Sequence, residues 1–307
     1  MNDMIPAADR SPVIKYADPA AVAAAETAKA RIQSAYIMAM QKPRNEDQAR
    51  IRILEACRRP AFASRVEFSK PVAGRQIKGP SIRFAELALR EWSNVNSDVS
   101  VIHEDDQIRR VRVTVVDLET NASFSKEVQA QKLVERRQAG DREVLAERKN
   151  TKGETVYIVR ATEEELDNKV SALISKALRN EGLRLIPSDI VDEALDIARR
   201  TLLNQDAKDP AAAKKQILDA FSELGIKPRD LEAYLKHKID VLSPAELQDL
   251  RGIFRAIKDG EATWADYIRP TETEERTASR AEALKAKLKG SQKSQEPDVP
   301  DPATGKE

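Results

Sequence analysis

The chain has little of the chemistry that enzymes commonly use, because it contains one cysteine, two histidines and only 4% aromatic residues. The single cysteine, Cys57, excludes an internal disulfide and any zinc site built from several cysteines. The histidines, His103 and His237, fall in different predicted domains, and neither lies within a local arrangement suited to nucleophilic or acid–base catalysis. The sequence therefore predicts neither a catalytic site nor a cofactor.

Long apolar runs are also absent. No run approaches the ~20 apolar residues that a membrane-spanning helix needs. The first residues, Met1–Pro6, have neither the basic region nor the apolar region of a secretory signal. We therefore expect no contact with a membrane and a cytoplasmic location.

Charge is abundant but unevenly placed. Of the 307 residues, 34% are charged, yet the formal net charge is only +1. The segment from Gln41 to Arg90 holds twelve Lys or Arg against five Asp or Glu, a local excess of seven positive charges. Such a cluster in an otherwise neutral chain is typical of proteins that bind a polyanion, and nucleic acid is the first candidate.

Periodicity predicts an α+β core followed by a small all-helical domain. Apolar spacing and capping residues predict core helices over 19–40, 45–57, 81–92, 162–182 and 190–203. Alternation predicts three antiparallel strands within 99–128 and a short fourth strand at 156–159, with 132–155 as a mobile excursion from the sheet. An antiparallel sheet of three to four strands flanked by helices is therefore expected.

Composition predicts the domain boundaries. Residues 1–18 are expected to form a flexible N-terminal arm, 19–203 the core, 211–268 the helical module and 269–307 a mostly disordered tail. Residues 204–210 are predicted to be a polar linker between the core and the helical module.

The segment from Gly74 to Arg83 joins two glycines and several basic side chains to a predicted helix start at Ser81. It resembles a phosphate-binding loop only in part, because Pro80 stands where the lysine that reaches nucleotide phosphates should be. ATP binding is therefore not expected. A glycine-flanked basic turn that enters a helix can still hold a backbone phosphate, so we predict phosphate contacts from Arg75, Lys78 and Arg83.

A second basic feature is the predicted helix that ends at Gly182. Lys169, Lys176 and Arg179 share one side of this helix, opposite much of its apolar stripe. Lys176 and Arg179 are predicted to form one wall of a nucleic-acid groove that faces the basic turn before Ser81. Secondary candidates on the central strand pair are Arg109, Arg110 and Arg112.

The order of these pieces resembles the core of the single-strand annealing superfamily, which includes the RecT, Redβ and Erf recombination proteins of phages. The resemblance covers about residues 40–205 and rests on the helix from Ser81, the antiparallel strands and the helix Val170–Gly182. The eukaryotic member has Val-Thr-x-x-Leu-Lys-Arg-Ala-Leu-Arg before a glycine. Lys176 and Arg179 match two of its DNA-contacting basic positions, whereas Ser175 departs from a third.

The resemblance implies ATP-independent binding of single-stranded DNA, assembly into rings or helical filaments, and annealing of complementary strands during homologous recombination. It also implies two partners for the helical module, a 5′ to 3′ exonuclease and the single-strand binding protein of the host. The few aromatic residues suit this function, because annealing requires that phosphates are held while bases stay free to pair. The first predicted helix and the sheet edges offer surfaces for a homo-oligomer.

Three other functions remain open. A regulator that reads duplex DNA would discriminate between sequences and prefer double strands. The three acids Glu104-Asp105-Asp106 allow a metal-dependent nuclease, which would need further carboxylates to converge on a divalent cation. A structural phage protein, whose basic segment packs against other proteins, would have no affinity for nucleic acid.

Overall fold

The computed structural model describes residues 19–72, 75–150 and 153–268. Its fold is α+β, as the sequence predicts, and within these ranges ten α-helices accompany three small antiparallel sheets of two, three and three strands. None of the helices in these ranges is both long and apolar enough to cross a membrane. The predicted N-terminal arm, 1–18, and the predicted tail, 269–307, lie outside the described residues.

Three helices begin the described chain: α1 (Pro19–Gln41), α2 (Glu46–Cys57) and α3 (Pro60–Ala63). Asn45 caps α2 as predicted, because its side-chain oxygen accepts a hydrogen bond of 2.9 Å from the backbone N–H of Gln48. Cys57 is fully buried, and this burial raises the pKa of its thiol to about 12. The predicted role of Cys57 as a small core residue is confirmed.

A hairpin follows, formed by β1 (Glu67–Val72) and β2 (Arg75–Pro80). The prediction of a basic turn before Ser81 is wrong here, because Arg75–Pro80 is an extended strand paired with β1 along its whole length. Gly74 lies outside the described residues. Ser81 does begin the next helix, α4 (Ile82–Trp92), and its hydroxyl accepts a hydrogen bond from the backbone N–H of Phe84.

The three predicted antiparallel strands are confirmed as one sheet, β3 (Val95–Glu104), β4 (Ile108–Asp117) and β5 (Ser123–Gln131). The helix α5 (Glu163–Gly182) packs on β4 and β5, where Val170 joins Val111 in a small apolar cluster. Thr162 and Glu165 form the predicted capping box at the start of α5.

The predicted excursion at 132–155 is instead part of a second three-stranded sheet, β6 (Leu133–Arg136), β7 (Val144–Lys149) and β8 (Thr155–Arg160), in the order β6-β8-β7. β8 is therefore not a fourth strand of the first sheet. β8 supplies the buried side chains Val156 and Val159, whereas its partners β6 and β7 have no buried residue. Ion pairs also link these strands to each other and to α5: Arg148 contacts Glu135 at 2.6 Å, and Arg142 contacts Glu165 at 2.9 Å.

Five helices complete the structure: α6 (Ser188–Lys208), α7 (Pro210–Glu223), α8 (Pro228–Leu235), α9 (Pro244–Lys258) and α10 (Trp264–Ile268). The prediction of a linker at 204–210 is wrong, because α6 continues to Lys208 and Asp209 directly caps α7. The continuation is stabilised by buried Asp206, which accepts two hydrogen bonds of 2.6 and 2.7 Å from Arg251 of α9.

The module formed by α7–α10 has its own apolar core, as predicted, centred on Phe221, Leu231 and Ile253. It is nevertheless packed onto the hairpin. Gly252 of α9 approaches so closely that an added Cβ would lie 2.9 Å from the Cβ of Ser69 in β1. The hydroxyl of Tyr267 also donates a 2.6 Å hydrogen bond to the carbonyl of Ser69. The module therefore packs against the hairpin that was predicted to bind nucleic acid.

Candidate nucleic-acid interface

The β1–β2 hairpin concentrates basic residues along one element. We call the β1–β2 hairpin together with the first turn of α4 the basic hairpin, and its cations are Lys70, Arg75, Lys78 and Arg83. A six-residue strand spans about 20 Å, so these cations are spread over a length that matches several nucleotides of a single strand. Arg65 and Arg83 flank the base of the hairpin, and Arg75 lies near its tip.

One face of the basic hairpin is open near the tip. Alternation along the strands places Arg75, Val72 and Ile77 on the same face as Phe68. Arg75 is exposed, and Val72 and Ile77 keep 43% and 45% of their surface exposed. Among the described residues Arg75 has no carboxylate within ion-pair distance. This face is therefore accessible to an anionic ligand.

The end of α5 lies on the same side of the hairpin. The guanidinium carbon of Arg179 lies 4.4 Å from the centroid of the Phe68 ring. The Phe68 side chain is on the face of the hairpin that also carries Arg75. Lys176 is one turn before Arg179, is exposed, and has no carboxylate partner in the described part of the chain. Two of the predicted cations, Arg75 and Lys176, thus remain exposed and uncompensated on neighbouring elements.

Arg179 does not line an open groove, contrary to the prediction. Only 5% of its side chain is exposed, and its guanidinium forms an ion pair with Glu261, which is 7% exposed. Its Nε also donates to the side chain of Asn180 at 3.1 Å. Because Glu261 comes from the helical module, the predicted basic wall is covered at this point. Arg179 is thus a buried structural residue.

The module also neutralises two cations of the basic hairpin. Lys78 forms an ion pair with Asp249 of α9, and both side chains stay substantially exposed. Lys70 contacts the second carboxylate oxygen of Glu261 at 2.8 Å. Two carboxylates of the module thus occupy positions beside the basic hairpin where phosphates would otherwise be expected.

Arg83 keeps more freedom. Its side chain is 53% exposed, and its partner is Glu86 one turn further along α4, at 3.1 Å. Exposed ion pairs of this kind stabilise a protein by about 1 kcal/mol or less, so a phosphate can compete for Arg83.

The three arginines of the central strand pair are not brought to the basic hairpin. Arg109 is held by Glu104 at 2.9 Å and by Asp167 at 3.0 Å, and these hydrogen bonds raise the pKa of its guanidinium. Alternation places Arg110 and Arg112 on the sheet face opposite α5, where Arg112 contacts Glu127 at 2.8 Å. Arg110 donates to Gln129 at 3.4 Å.

A cleft of about 860 Å³ does open where Pro80 approaches the end of α5. The sequence analysis did not predict that Arg184 and Phe124 line this cleft. The guanidinium carbon of Arg184 lies 3.9 Å from the centroid of the Phe124 ring, and 57% of the Arg184 side chain is exposed. Aromatic rings and guanidinium planes are surfaces on which unpaired bases stack. No local signal marked Arg184, because it follows the predicted helix end and stacks on a residue of another element.

Buried Arg44 forms the floor of the same cleft. It contacts Asp117 at 2.9 Å, donates to the carbonyls of Trp92 and Ser93 at 2.7 and 3.0 Å, and stacks 4.6 Å from the Trp92 ring. Burial opposes ionisation of Asp117, but hydrogen bonds from Arg44 and from the backbone N–H of Glu119 outweigh it and lower its pKa. These contacts are all within the protein, so Arg44 is a structural residue.

The acidic turn at Glu104-Asp105-Asp106 is engaged by other groups. Glu104 accepts from Arg109 and contacts Lys132 at 2.7 Å, which lowers the pKa of Glu104 to about 2. Asp105 accepts hydrogen bonds of 2.8 Å from the backbone N–H groups of Gln107 and Ile108. In the described ranges no cluster of three or more His, Cys, Asp or Glu has the geometry of a metal site.

Comparison of the chain with protein-family models, with curated proteins and with solved structures finds no match. The resemblance to the annealing superfamily therefore stays a hypothesis.

Proposed function

We propose that this protein binds single-stranded DNA through its phosphates, independently of sequence, and anneals complementary strands as a homo-oligomer without ATP. The observation that carries the proposal is the basic hairpin, with exposed Arg75 near its tip and exposed Lys176 on the adjacent helix. Neither cation has a carboxylate partner among the described residues. Uncompensated cations beside a projecting strand pair favour a ligand that carries regularly spaced negative charges.

The type of contact favours annealing over sequence recognition. Lys and Arg that neutralise phosphates hold a strand in register but read no sequence. Two complementary strands repel each other until their charges are neutralised, so a surface that binds phosphates and leaves base edges free promotes pairing.

A binding and annealing assay without ATP tests this function. We expect gel-shift affinity for a labelled 40-nucleotide strand that depends little on sequence, falls steeply with salt, and exceeds the affinity for a duplex of equal length. Added complementary strand should pair faster with protein than without it. Absence of binding at about 50 mM salt would favour a structural protein, and magnesium-dependent degradation of the strand would favour a nuclease. An RNA strand of the same sequence distinguishes DNA from RNA preference.

Neutralising Asp249 should strengthen DNA binding. The Asp249→Asn variant removes the carboxylate that pairs with exposed Lys78, so Lys78 becomes available to a phosphate. We expect the slope of log affinity against log salt to steepen by about 0.7, the value for one additional single-strand phosphate contact. Fluorescence anisotropy at four salt concentrations measures this slope.

Asp219→Asn is the matched control for charge, because Asp219 is exposed on α7 and has no ion-pair partner in the described ranges. A slope that changes equally in both variants would show a general effect of net charge. In that case Lys78 would not contact phosphate.

Helix α1 supplies the surface for self-assembly. It is exposed along most of its length, and its uncovered apolar side chains are Val22, Ile32, Ile37, Met38 and Met40. The edge strand β3 also leaves Val99 and Val101 47% and 58% exposed. Apolar surface of this extent is typical of interaction sites, and we propose that a neighbouring copy covers it.

The double variant Ile37→Asp/Met40→Asp should therefore dissociate the oligomer. Burial of each such side chain contributes about 1.5–3 kcal/mol, so we expect the dissociation constant to rise about 100-fold or more. Analytical ultracentrifugation over a range of concentrations measures it, and negative-stain images distinguish rings from filaments. Ala24→Asp/Ala28→Asp, at exposed positions on the opposite side of the same helix from Ile37 and Met40, should leave assembly unchanged. A monomer in the unmodified protein would refute the role of α1.

The resemblance also implies that the module binds a 5′ to 3′ exonuclease or the host single-strand binding protein. Because α9 packs against β1 through Gly252, such a partner would have to use the outer surfaces of α7 and α8.

A further inference from the structure

A second cavity lies between the core and the helical module. It has a volume of about 500 Å³ and is bounded by α3 and α6 on one side and by α7 and α9 on the other. Three arginines line it, Arg65 from the core and Arg251 and Arg255 from α9. This volume falls in the range of about 300–1,000 Å³ that small-molecule sites occupy.

Arg255 is a buried cation without full compensation. It is 8% exposed, its nearest carboxylate oxygen is that of Asp259 at 3.7 Å, and its Nε has no hydrogen-bond partner in the described part of the chain. Burial lowers the pKa of its guanidinium, Asp259 opposes this, and the like charges of Arg65 and Arg83 lower it further. A buried guanidinium with two cationic neighbours is stabilised when an anion binds beside it.

The other charges of the cavity are already satisfied. Arg251 and Asp206 hold each other through two hydrogen bonds. Asp209 accepts a 2.9 Å hydrogen bond from the backbone N–H of Ala212 and so caps α7. Arg65, by contrast, is exposed and has no carboxylate partner within the described ranges. Arg65 and Arg255 are therefore the two groups that an incoming anion would find unsatisfied.

We infer that this cavity is an anion site that takes a phosphate group, held between Arg65 of the core and Arg255 of the module. Arginine is suited to this task, because its planar guanidinium donates two parallel hydrogen bonds to phosphate oxygens. A bound phosphate would link the core to the module across their junction. The phosphate can belong to a terminus of a DNA strand or to a free nucleotide, and both present the same phosphomonoester.

Isothermal titration of the full chain with inorganic phosphate tests the site. We expect saturable binding at one site per chain, weakened at least 10-fold by Arg65→Ala and at least 10-fold by Arg255→Gln. Arg58→Ala is the matched control, because Arg58 is exposed, has no carboxylate partner among the described residues and does not line the cavity. Its affinity should stay within 2-fold of the unmodified protein. Absence of saturable binding, or equal losses in Arg65→Ala and Arg58→Ala, would overturn the inference.

Two further titrations identify the source of the phosphate. A strand with a 5′-phosphate that binds more tightly than the same strand with a 5′-hydroxyl, in a manner lost in Arg65→Ala, assigns the site to DNA ends. Binding of dAMP that is lost in Arg65→Ala, with equal affinity for the two strands, assigns it to free nucleotides. The 5′-hydroxyl strand separately tests the basic hairpin, so failure of the cavity site and failure of the proposed function give different results.

Discussion

Replacing Arg179 with alanine is expected to lower the free energy of unfolding by about 3–5 kcal/mol, because the change leaves a buried carboxylate with half of its compensation. Glu261 is 7% exposed and is held by Arg179 on one side and by Lys70 on the other. The alanine variant also removes the guanidinium that covers the Phe68 ring at 4.4 Å. Urea denaturation followed by circular dichroism measures the loss.

Two further variants separate this structural role from a DNA contact. The triple variant Lys70→Met/Arg179→Met/Glu261→Gln should recover part of the stability, because it removes both cations together with the carboxylate that they share. Lys176→Ala, one turn away and exposed, should change the free energy of unfolding by no more than about 0.5 kcal/mol. If Arg179→Ala is as stable as Lys176→Ala, the pair with Glu261 does not stabilise the fold and the structural role of Arg179 is refuted.

The expected loss has a consequence for DNA-binding experiments. If an Arg179 variant fails to bind DNA, the first explanation to test is that the helical module no longer packs on the core. The resemblance to the annealing superfamily placed Arg179 at a DNA-contacting position, and its burial against Glu261 shows why that residue-by-residue transfer needs the structure. Lys176, the other matched position, keeps an exposed side chain.

Local signals were sufficient wherever an element is stabilised mainly by its own residues. Asn45 and the Thr162–Glu165 capping box mark true helix starts, since their side chains bond backbone groups within three positions. The meander of β3, β4 and β5 was predictable for the same reason, because Val111, Val113 and Val115 alternate with polar residues and pack on one face.

Distant contacts decided the elements that the sequence did not predict. The strand Arg75–Pro80 is flanked by signals for a turn, yet the hairpin is held by Tyr267 and Gly252, more than 150 positions later. In the sheet of β6, β7 and β8, the buried apolar side chains Val156 and Val159 come from β8, whereas β7 is exposed along its whole length. Neither arrangement leaves a periodic trace in its own segment.

The same reason limits what the sequence shows of the candidate site. A basic residue in a helical stripe is compatible with solvent, phosphate or a buried ion pair, and only the position of Glu261 distinguishes these for Arg179. The stack of Arg184 on Phe124 joins residues 60 positions apart. The basic excess between Gln41 and Arg90 was visible from the start, but which of its cations remain uncompensated was not.

Removing Arg75 and Lys176 together should weaken single-stranded DNA binding more than any other pair of substitutions at the surface. Each is exposed and has no carboxylate partner in the described part of the chain. If each contacts one phosphate, the Arg75→Ala/Lys176→Ala variant loses two contacts, and the slope of log affinity against log salt falls by about 1.4. If the two proteins bind equally at 1 M salt, this difference in slope makes the variant bind about 25-fold more weakly than the unmodified protein at 0.1 M salt.

Fluorescence anisotropy with a labelled strand at four salt concentrations measures both quantities, and urea denaturation should show that the variant is as stable as the unmodified protein. Lys149→Ala/Lys215→Ala provides a matched loss of two positive charges, because both lysines are exposed and lie on β7 and α7, which do not form the basic hairpin. The control should keep its slope within about 0.3. Parallel slopes for the two double variants would mean that the protein responds only to net charge, and the basic hairpin would then not be where the strand binds.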